Sequence, residues 1–308
     1  MRFYTLLYID LEESRKITGK KWEGEERILI FLKNACLLDA SLMSSNPSNQ
    51  HLTILTNNKR LLDELLDKIN YHDITIEEIS FNLKVPKGIP FYSAHFKIDV
   101  FKYLSQKENE YSILLDSDIV VLNKFSKVFI LLIKEKIPIF YQMPYYTPDI
   151  ILDTANKIDP QRGPVQWIGG EIIGGNNTFF SMLYEESIRI IPSYFNLIKE
   201  GLIHIGDEMI TTLAIRRLKN KDLNYYDLGV CEIIKRYWGY QDKDKLNYNQ
   251  VIFAHLLIDK VWIAKKFNKF IPFEKNKFIK CYKIYRKVYR HIYIFKKGVM
   301  KLKKIFKI

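Results

Sequence analysis

The stretch Ile113-Leu114-Leu115-Asp116-Ser117-Asp118-Ile119-Val120-Val121-Leu122 decides the reading of this chain. Apolar runs, ILL before and IVV after, enclose two carboxylates one residue apart. The first run predicts a buried strand over 112–115. Asp116 and Asp118 then stand at the strand's carboxyl end, on the edge of a core where an unpartnered charge is costly. Two carboxylates at this spacing reach one divalent cation, which in turn neutralises a diphosphate. Hard oxygen ligands with open positions suit Mg²⁺ or Mn²⁺. A second pair, Asp242-Lys243-Asp244, sits among Tyr, Lys and Asn with no strand before it, so it reads as a solvated loop.

Outward from this stretch, strands and helices alternate. Strands are predicted over 2–9, 51–56 and 73–79, and helices over 28–43, 59–69 and 93–104. Residues 13–26 read as a surface loop and 142–162 as a long loop. Residues 165–175 (VQWIGGEIIGG) are strand-like, 178–200 and 207–219 helical, 251–257 a late strand. The β-α-β-α-β order implies an α/β fold, a mostly parallel Rossmann-like sheet with flanking helices. Ligands of such sheets bind beyond the carboxyl ends of the strands, so the loops after residues 9, 56 and 115 are where chemistry belongs.

The 308 residues carry 48 Lys and Arg against 35 Asp and Glu, a formal charge of +13. Thirteen of the basic residues fall within 275–308, which holds no Asp or Glu, so residues 1–274 are formally neutral. The basicity belongs to a tail, and a nucleic-acid partner is not expected. Cys36, Cys231 and Cys281 are odd in number and in no CxxC spacing, which excludes a disulfide framework or a cysteine-built zinc site. The N-terminus reads as a first strand and not as a signal peptide. No window of 18 apolar residues lacks charge, so no spanning helix is expected.

ILLDSDIVVL, preceded by the helical SAHFKIDVFKYL (93–104), resembles the core of GT-A-fold glycosyltransferases. The layout over roughly residues 2–265 is most similar to family 8, sugar-nucleotide transferases that include bacterial lipooligosaccharide enzymes. That resemblance implies a metal held by Asp116 and Asp118 on a UDP-sugar, with His255 as third ligand and Lys260 on the phosphates. The family pattern there is HxxGxxKPW; here Ile258 replaces the Gly, the Pro is missing, and Lys260 and Trp262 come one residue early. Ser117, between the two carboxylates, falls in the nucleotide-sugar site by the same resemblance. Similar enzymes place a basic residue of the preceding helix near the donor, which marks Lys97; otherwise it is a snorkelling lysine. Tyr8 and Asp10 occupy the place where such folds hold base and ribose, although Asp10 also suits a loop start.

Two further blocks are candidates. Gly169 and Gly170 would let backbone approach a donor sugar and Glu171 could hold hydroxyls, or the glycines mark a bulge. Asp207 and Glu208 open a helix, where acids complement the dipole. The resemblance also sets a carboxylate pair there facing the acceptor, able to act as base or to orient it. In the tail, Phe278, Tyr282, Tyr285, Val288, Tyr289, Ile292 and Phe295 share one helical side, with Lys280, Lys283, Arg286, Lys287, Arg290 and Lys297 opposite. That pattern suits a basic amphipathic helix on an anionic membrane, a helix packed on the domain, or an RNA-binding tail.

The expectation is thus a catalytic domain over 1–274 and a membrane-associating tail over 275–308. The chain would transfer a hexose from a nucleotide sugar to a glycan or glycolipid acceptor, with Mn²⁺ or Mg²⁺. It would be cytoplasmic and peripheral to the inner membrane. A sugar nucleotidyltransferase needs a Gly-rich basic loop after the first strand, where LYIDLEESRK is acidic and lacks glycine. The remaining alternative is a non-catalytic membrane or nucleic-acid adaptor built on the tail.

Overall fold

A computed structural model describes residues 1–13, 15–17, 20–45, 50–143, 149–160, 164–201, 205–237 and 247–305; the side chains of 15–17, 20, 150 and 291–305 lie outside that description. In chain order the strands are β1 (Arg2–Leu6), β2 (Arg15–Ile17), β3 (Lys20–Trp22), β4 (Leu52–Thr56), β5 (Thr75–Glu78), β6 (Tyr111–Leu115), β7 (Ile119–Val121), β8 (Ile139–Gln142), β9 (Ile168–Asn176), β10 (Tyr226–Asp227), β11 (Ile234–Arg236) and β12 (Phe253–His255). The helices are α1 (Gly24–Ser45), α2 (Lys59–Ile69), α3 (Lys97–Ser105), α4 (Lys127–Lys134), α5 (Asp149–Ile158), α6 (Asn177–Lys199), α7 (Asp207–Lys219), α8 (Lys260–Lys266) and α9 (Lys275–Ile305).

The main sheet runs β10-β8-β9-β6-β1-β4-β5. β1 pairs in parallel with both β4 and β6, and β4 with β5, whereas β9 is antiparallel to β6 and β8. The fully buried, β-branched and leucine-rich strands β4 and β6 sit inside a sheet covered on its faces. α1, α2 and α8 form one packed group and α3, α6 and α7 another. A second sheet, β11-β12-β7, crosses beyond the end of β6. It exists because the chain turns at Asp116-Ser117-Asp118 and pairs β7 antiparallel with β12, His255 opposite Ile119.

Several expectations change. Residues 142–162 are not one long loop, since α5 occupies much of the span; 144–148 and 161–163 lie outside the described residues, as does Asp242-Lys243-Asp244. Residues 13–26 hold the β2–β3 ribbon and the start of α1. α1 is long and apolar enough by composition to span a bilayer, contrary to the expectation of no such helix. It is nevertheless a core helix, with Arg27, Asn34 and Asp39 buried along it.

The tail is corrected most. Phe278 and Tyr282 belong to the hydrophobic core, and Tyr285 stacks on Trp262 at 4.7 Å and 19°. Arg286, expected on the outer basic side, is buried and donates to Asp259 at 3.0 Å. The aromatic stripe of the first turns of α9 therefore meets the domain itself. Lys280, Lys283, Lys287 and Arg290 remain outside. Ile292, Phe295 and Lys297 have side chains beyond the described set.

Candidate functional site

The carboxyl ends of β1 and β6, the β7–β12 pair and the start of α7 enclose a cleft of about 420 Å³. Its lining includes Tyr8, Lys97, Asp116, Ser117, Asp118, Asp207, Glu208, His255 and Lys260, so most residues singled out from the sequence converge there. Their separation along the chain, from the first strand to the last helix but one, is closed by the sheet order.

Asp116, Asp118 and His255 offer ligand atoms that all lie within 4.8 Å of one another. His255 Nε2 is 3.1 Å from Asp118 Oδ2 and 3.9 Å from Asp116 Oδ2. β-Pairing fixes this geometry: Leu256 N–H donates to the Asp118 carbonyl at 3.0 Å, and Asp116 N–H to that of Glu171 at 2.9 Å. Asp118 Oδ1 is buried without a hydrogen-bond partner among the described residues. A buried acceptor left open is costly unless a ligand meets it. Two carboxylates and an imidazole fit a divalent cation such as Mn²⁺ or Mg²⁺. Burial alone would raise the Asp118 carboxyl, but the Lys260 and His255 charges beside it hold it well below the usual carboxylate range. Burial likewise works against the charged form of His255, yet Asp118 and Glu171 push its imidazole up to about 9.

Two lysines attend these carboxylates. Lys97 Nζ lies 2.7 Å from Asp116 Oδ1, 2.8 Å from Asp207 Oδ2 and 2.9 Å from the Gly170 carbonyl. Despite full burial, which favours the neutral amine, the two carboxylates drive its pKa upward and keep it charged. It is no snorkelling surface residue. Lys260 Nζ lies 2.9 Å from Asp118 Oδ2, so its early position in the motif still brings the ammonium to the centre.

Behind this centre lies a network that the sequence reading missed. Arg236 on β11 pairs in register with His255 and donates to Glu171 at 2.8 and 2.5 Å, and also to Glu208. Trp167 Nε1–H donates to Glu208 at 2.9 Å. Glu171 is fully buried and outside the cleft lining; its Oε1 also lies 3.4 Å from His255 Nδ1. The expected direct contact of Glu171 with sugar or acceptor is corrected accordingly. Both its oxygens are engaged by Arg236, and its charge stands behind His255 at ion-pair distance from Nδ1.

Gly169 and Gly170 also stand outside the lining. A Cβ on Gly170 would come within 2.7 Å of Asp207 Oδ2 and 3.0 Å of Lys97 Nζ. The glycines thus permit the charged cluster to pack against β9, whose pairing with β8 slips at this bulge. Gly206 adopts φ +152°, and Tyr194 OH accepts from its N–H at 2.7 Å, which sets the entry of α7 and aims Asp207 and Glu208 at the cleft.

At the other end Tyr8 stacks on Phe96 at 3.8 Å and meets Phe81 and Tyr92 edge-on. Burial, then the neighbouring Tyr92 and Asp10, push its phenol up to about 12. Asp10 does not line the cleft; its carboxylate accepts from Glu12 N–H at 2.9 Å and closes a loop turn. The carboxylate expected at the base is thus placed in this turn, outside the cleft lining. Arg27, Phe31 and Phe91 line the cleft without having stood out in the sequence. Arg27 sits in the acidic first turn of α1, an unfavourable place for a cation, and that oddity was a readable signal.

No protein-family model and no curated protein matches the sequence. The structure, however, is similar to solved glycosyltransferases. The galactosyltransferase LgtC, solved in complex with donor and acceptor sugar analogues, superposes with a TM-score of 0.50 at 10% identity over 87% of this chain and 94% of its own. Mouse xyloside xylosyltransferase 1 gives 0.50 at 11% identity, covering 84% of this chain and 98% of its own. The bifunctional glycosyltransferase WbbM gives 0.50 at 9% identity over 83% of this chain, which spans 45% of WbbM. At these identities the likeness shows the fold: a glycosyltransferase fold of the GT-A type.

Proposed function

We propose that the chain is a metal-dependent glycosyltransferase, moving a hexose from a nucleotide sugar, UDP-linked, to a glycan or glycolipid acceptor. The observation that carries this is the centre of Asp116, Asp118 and His255, with its one open buried oxygen, set in a GT-A-type fold. Asp116, Asp118 and His255 would hold Mn²⁺ or Mg²⁺. Such a cation, when bound, neutralises charge on the departing diphosphate.

The chain's own residues do the rest. Lys97 and Lys260 bring two ammonium groups to the diphosphate end, with Ser117 beside them. Tyr8 and its aromatic neighbours offer a flat wall for a base. Asp207 and Glu208 face the acceptor side. Glu208 already accepts from Trp167, Gly170 and Arg236, which suits it to orient a hydroxyl. Asp207 is held by Lys97 at 2.8 Å and stands beside it on that side of the cleft. The resemblance to family 8 leans towards retention of the anomeric configuration.

The acceptor would be a lipopolysaccharide, lipooligosaccharide or capsule glycan at the inner membrane surface, approached from the cytoplasmic side. The basic outer face of α9 supports that location by its attraction to anionic lipid. The test is a panel of sugar nucleotides with Mn²⁺, scoring donor hydrolysis for wild type and Asp118→Ala. Turnover with one donor that needs metal and disappears in the variant is the expected result. Absence of metal-dependent turnover or binding with every donor removes the enzyme reading.

A further inference from the structure

Helix α4 is the surface element that the fold explains least. Of its eight residues only Phe129 is buried. Val128, Ile130 and Leu131 are 46%, 44% and 56% exposed, while Leu132 and Ile133 are half-buried against the core. At 3.6 residues per turn, Phe129 faces inward, Leu131 stands on the outer side beside Lys127 and Lys134, and Val128 and Ile130 take the two flanks. Lys124 precedes and Lys136 follows, both exposed, and Glu135 is the lone acid of the stretch. Exposed apolar side chains interleaved with lysines mark an interaction surface.

α4 also adjoins the basic helix. The Lys275 ammonium at the root of α9 donates to the side chain of Asn123, a few residues before α4. Beyond that root α9 presents Lys280, Lys283, Lys287 and Arg290 outward, with Ile284 and Val288 58% and 53% exposed among them.

We propose that α4 is a membrane-docking helix: Val128, Ile130 and Leu131 enter the apolar edge of an anionic leaflet while Lys124, Lys127, Lys134 and Lys136 meet lipid phosphates. Charge complementarity favours this occupant. A second copy of the chain docked on the same patch would set lysines against lysines. A nucleic acid would leave the exposed apolar side chains without a partner. α4 starts nine residues after Asp118, at most about 30 Å of chain, so docking here holds the cleft near the leaflet. The surface stands apart from the transferase reading, because its readout is lipid binding and not turnover.

The test is co-sedimentation of the full chain with phosphatidylglycerol vesicles and, separately, phosphatidylcholine vesicles. Leu131→Glu should lower partition onto the anionic vesicles about tenfold, with the melting temperature unchanged because Leu131 is exposed. Lys127→Gln with Lys134→Gln should lower it severalfold and flatten its salt dependence. Wild-type partition by Leu131→Glu, with all binding lost in Lys280→Gln/Lys283→Gln/Lys287→Gln, overturns the proposal in favour of α9 alone. Loss of a concentration-dependent dimer in Leu131→Glu, with vesicle binding intact, overturns it in favour of a second copy.

Discussion

Asp118, in the β6–β7 turn, and Asp259, at the cap of α8, are equally buried carboxylates whose partners differ. Asp259 has both oxygens taken. Tyr285 and Arg286 donate to Oδ1 at 3.1 and 3.0 Å, and Tyr282 donates to Oδ2 at 2.7 Å. Asp118 has His255 and Lys260 on Oδ2 and leaves Oδ1 open. The electrostatics diverge in step. Burial raises the Asp259 carboxyl despite Arg286 and the two phenols, whereas Lys260 and His255 overcome burial at Asp118 and depress it. A closed network spends its charge on holding α9 to the domain. An open one keeps charge and a lone pair available for something that binds.

The largest expected effect breaks the closed network. Asp259→Asn leaves Arg286 buried without its counter-charge, and should destabilise by about 3–5 kcal/mol, seen as a lower urea midpoint. Activity per folded molecule should stay near wild type. Next, Asp118→Asn should reduce donor turnover at least about a hundredfold while a cooperative unfolding transition persists. If the two variants exchange phenotypes, the contrast fails. Glu171→Gln tests the network one step removed. It should weaken Mn²⁺ affinity about tenfold, measured by calorimetry, because the negative charge 3.4 Å behind His255 Nδ1 is removed.

The smallest effect concerns a third, closed cluster. Glu186 is held by Lys221 at 2.6 Å, Arg189 at 2.6 Å and Arg217 at 3.4 Å. Burial opposes the charged form there, but the Lys and Arg partners win and its pKa falls below the ordinary 4.5. Its contribution is therefore present above that value, where the unfolded chain's glutamate is also ionised, and is lost as pH drops through the folded value. Glu186→Gln should flatten the acid loss of stability below about pH 4.5, by no more than about 1 kcal/mol since the partners are solvent-screened.

The parallel half of the fold was legible because its signals are local. Strand periodicity and the apolar flanks of Asp116-Ser117-Asp118 need no knowledge of partners, and α2 and α7 fall on their expected ranges. His255 and Lys260 were reachable through motif resemblance, and in the fold they lie 3.1 and 2.9 Å from Asp118 Oδ2. Arg236 was not, since IIKRYW carries no spacing that singles out an inward arginine; the β11–β12 register does so. The surroundings of Glu171 and of the inner side of the tail helix were hidden for a related reason. A Gly-Gly-Glu run and an aromatic helical stripe both announce burial, and sequence alone does not say against what. In the fold the answers are Arg236 and Trp262.

The central claim is that the open oxygen of Asp118 completes a metal site for a nucleoside diphosphate. Titrating UDP into the full chain by calorimetry, with and without Mn²⁺, tests it most directly. Wild type should bind UDP at least about tenfold tighter with the metal than without it, and Asp118→Asn should lose that difference. Equal binding with and without Mn²⁺ in the wild type, or an undiminished metal effect in Asp118→Asn, would contradict the account.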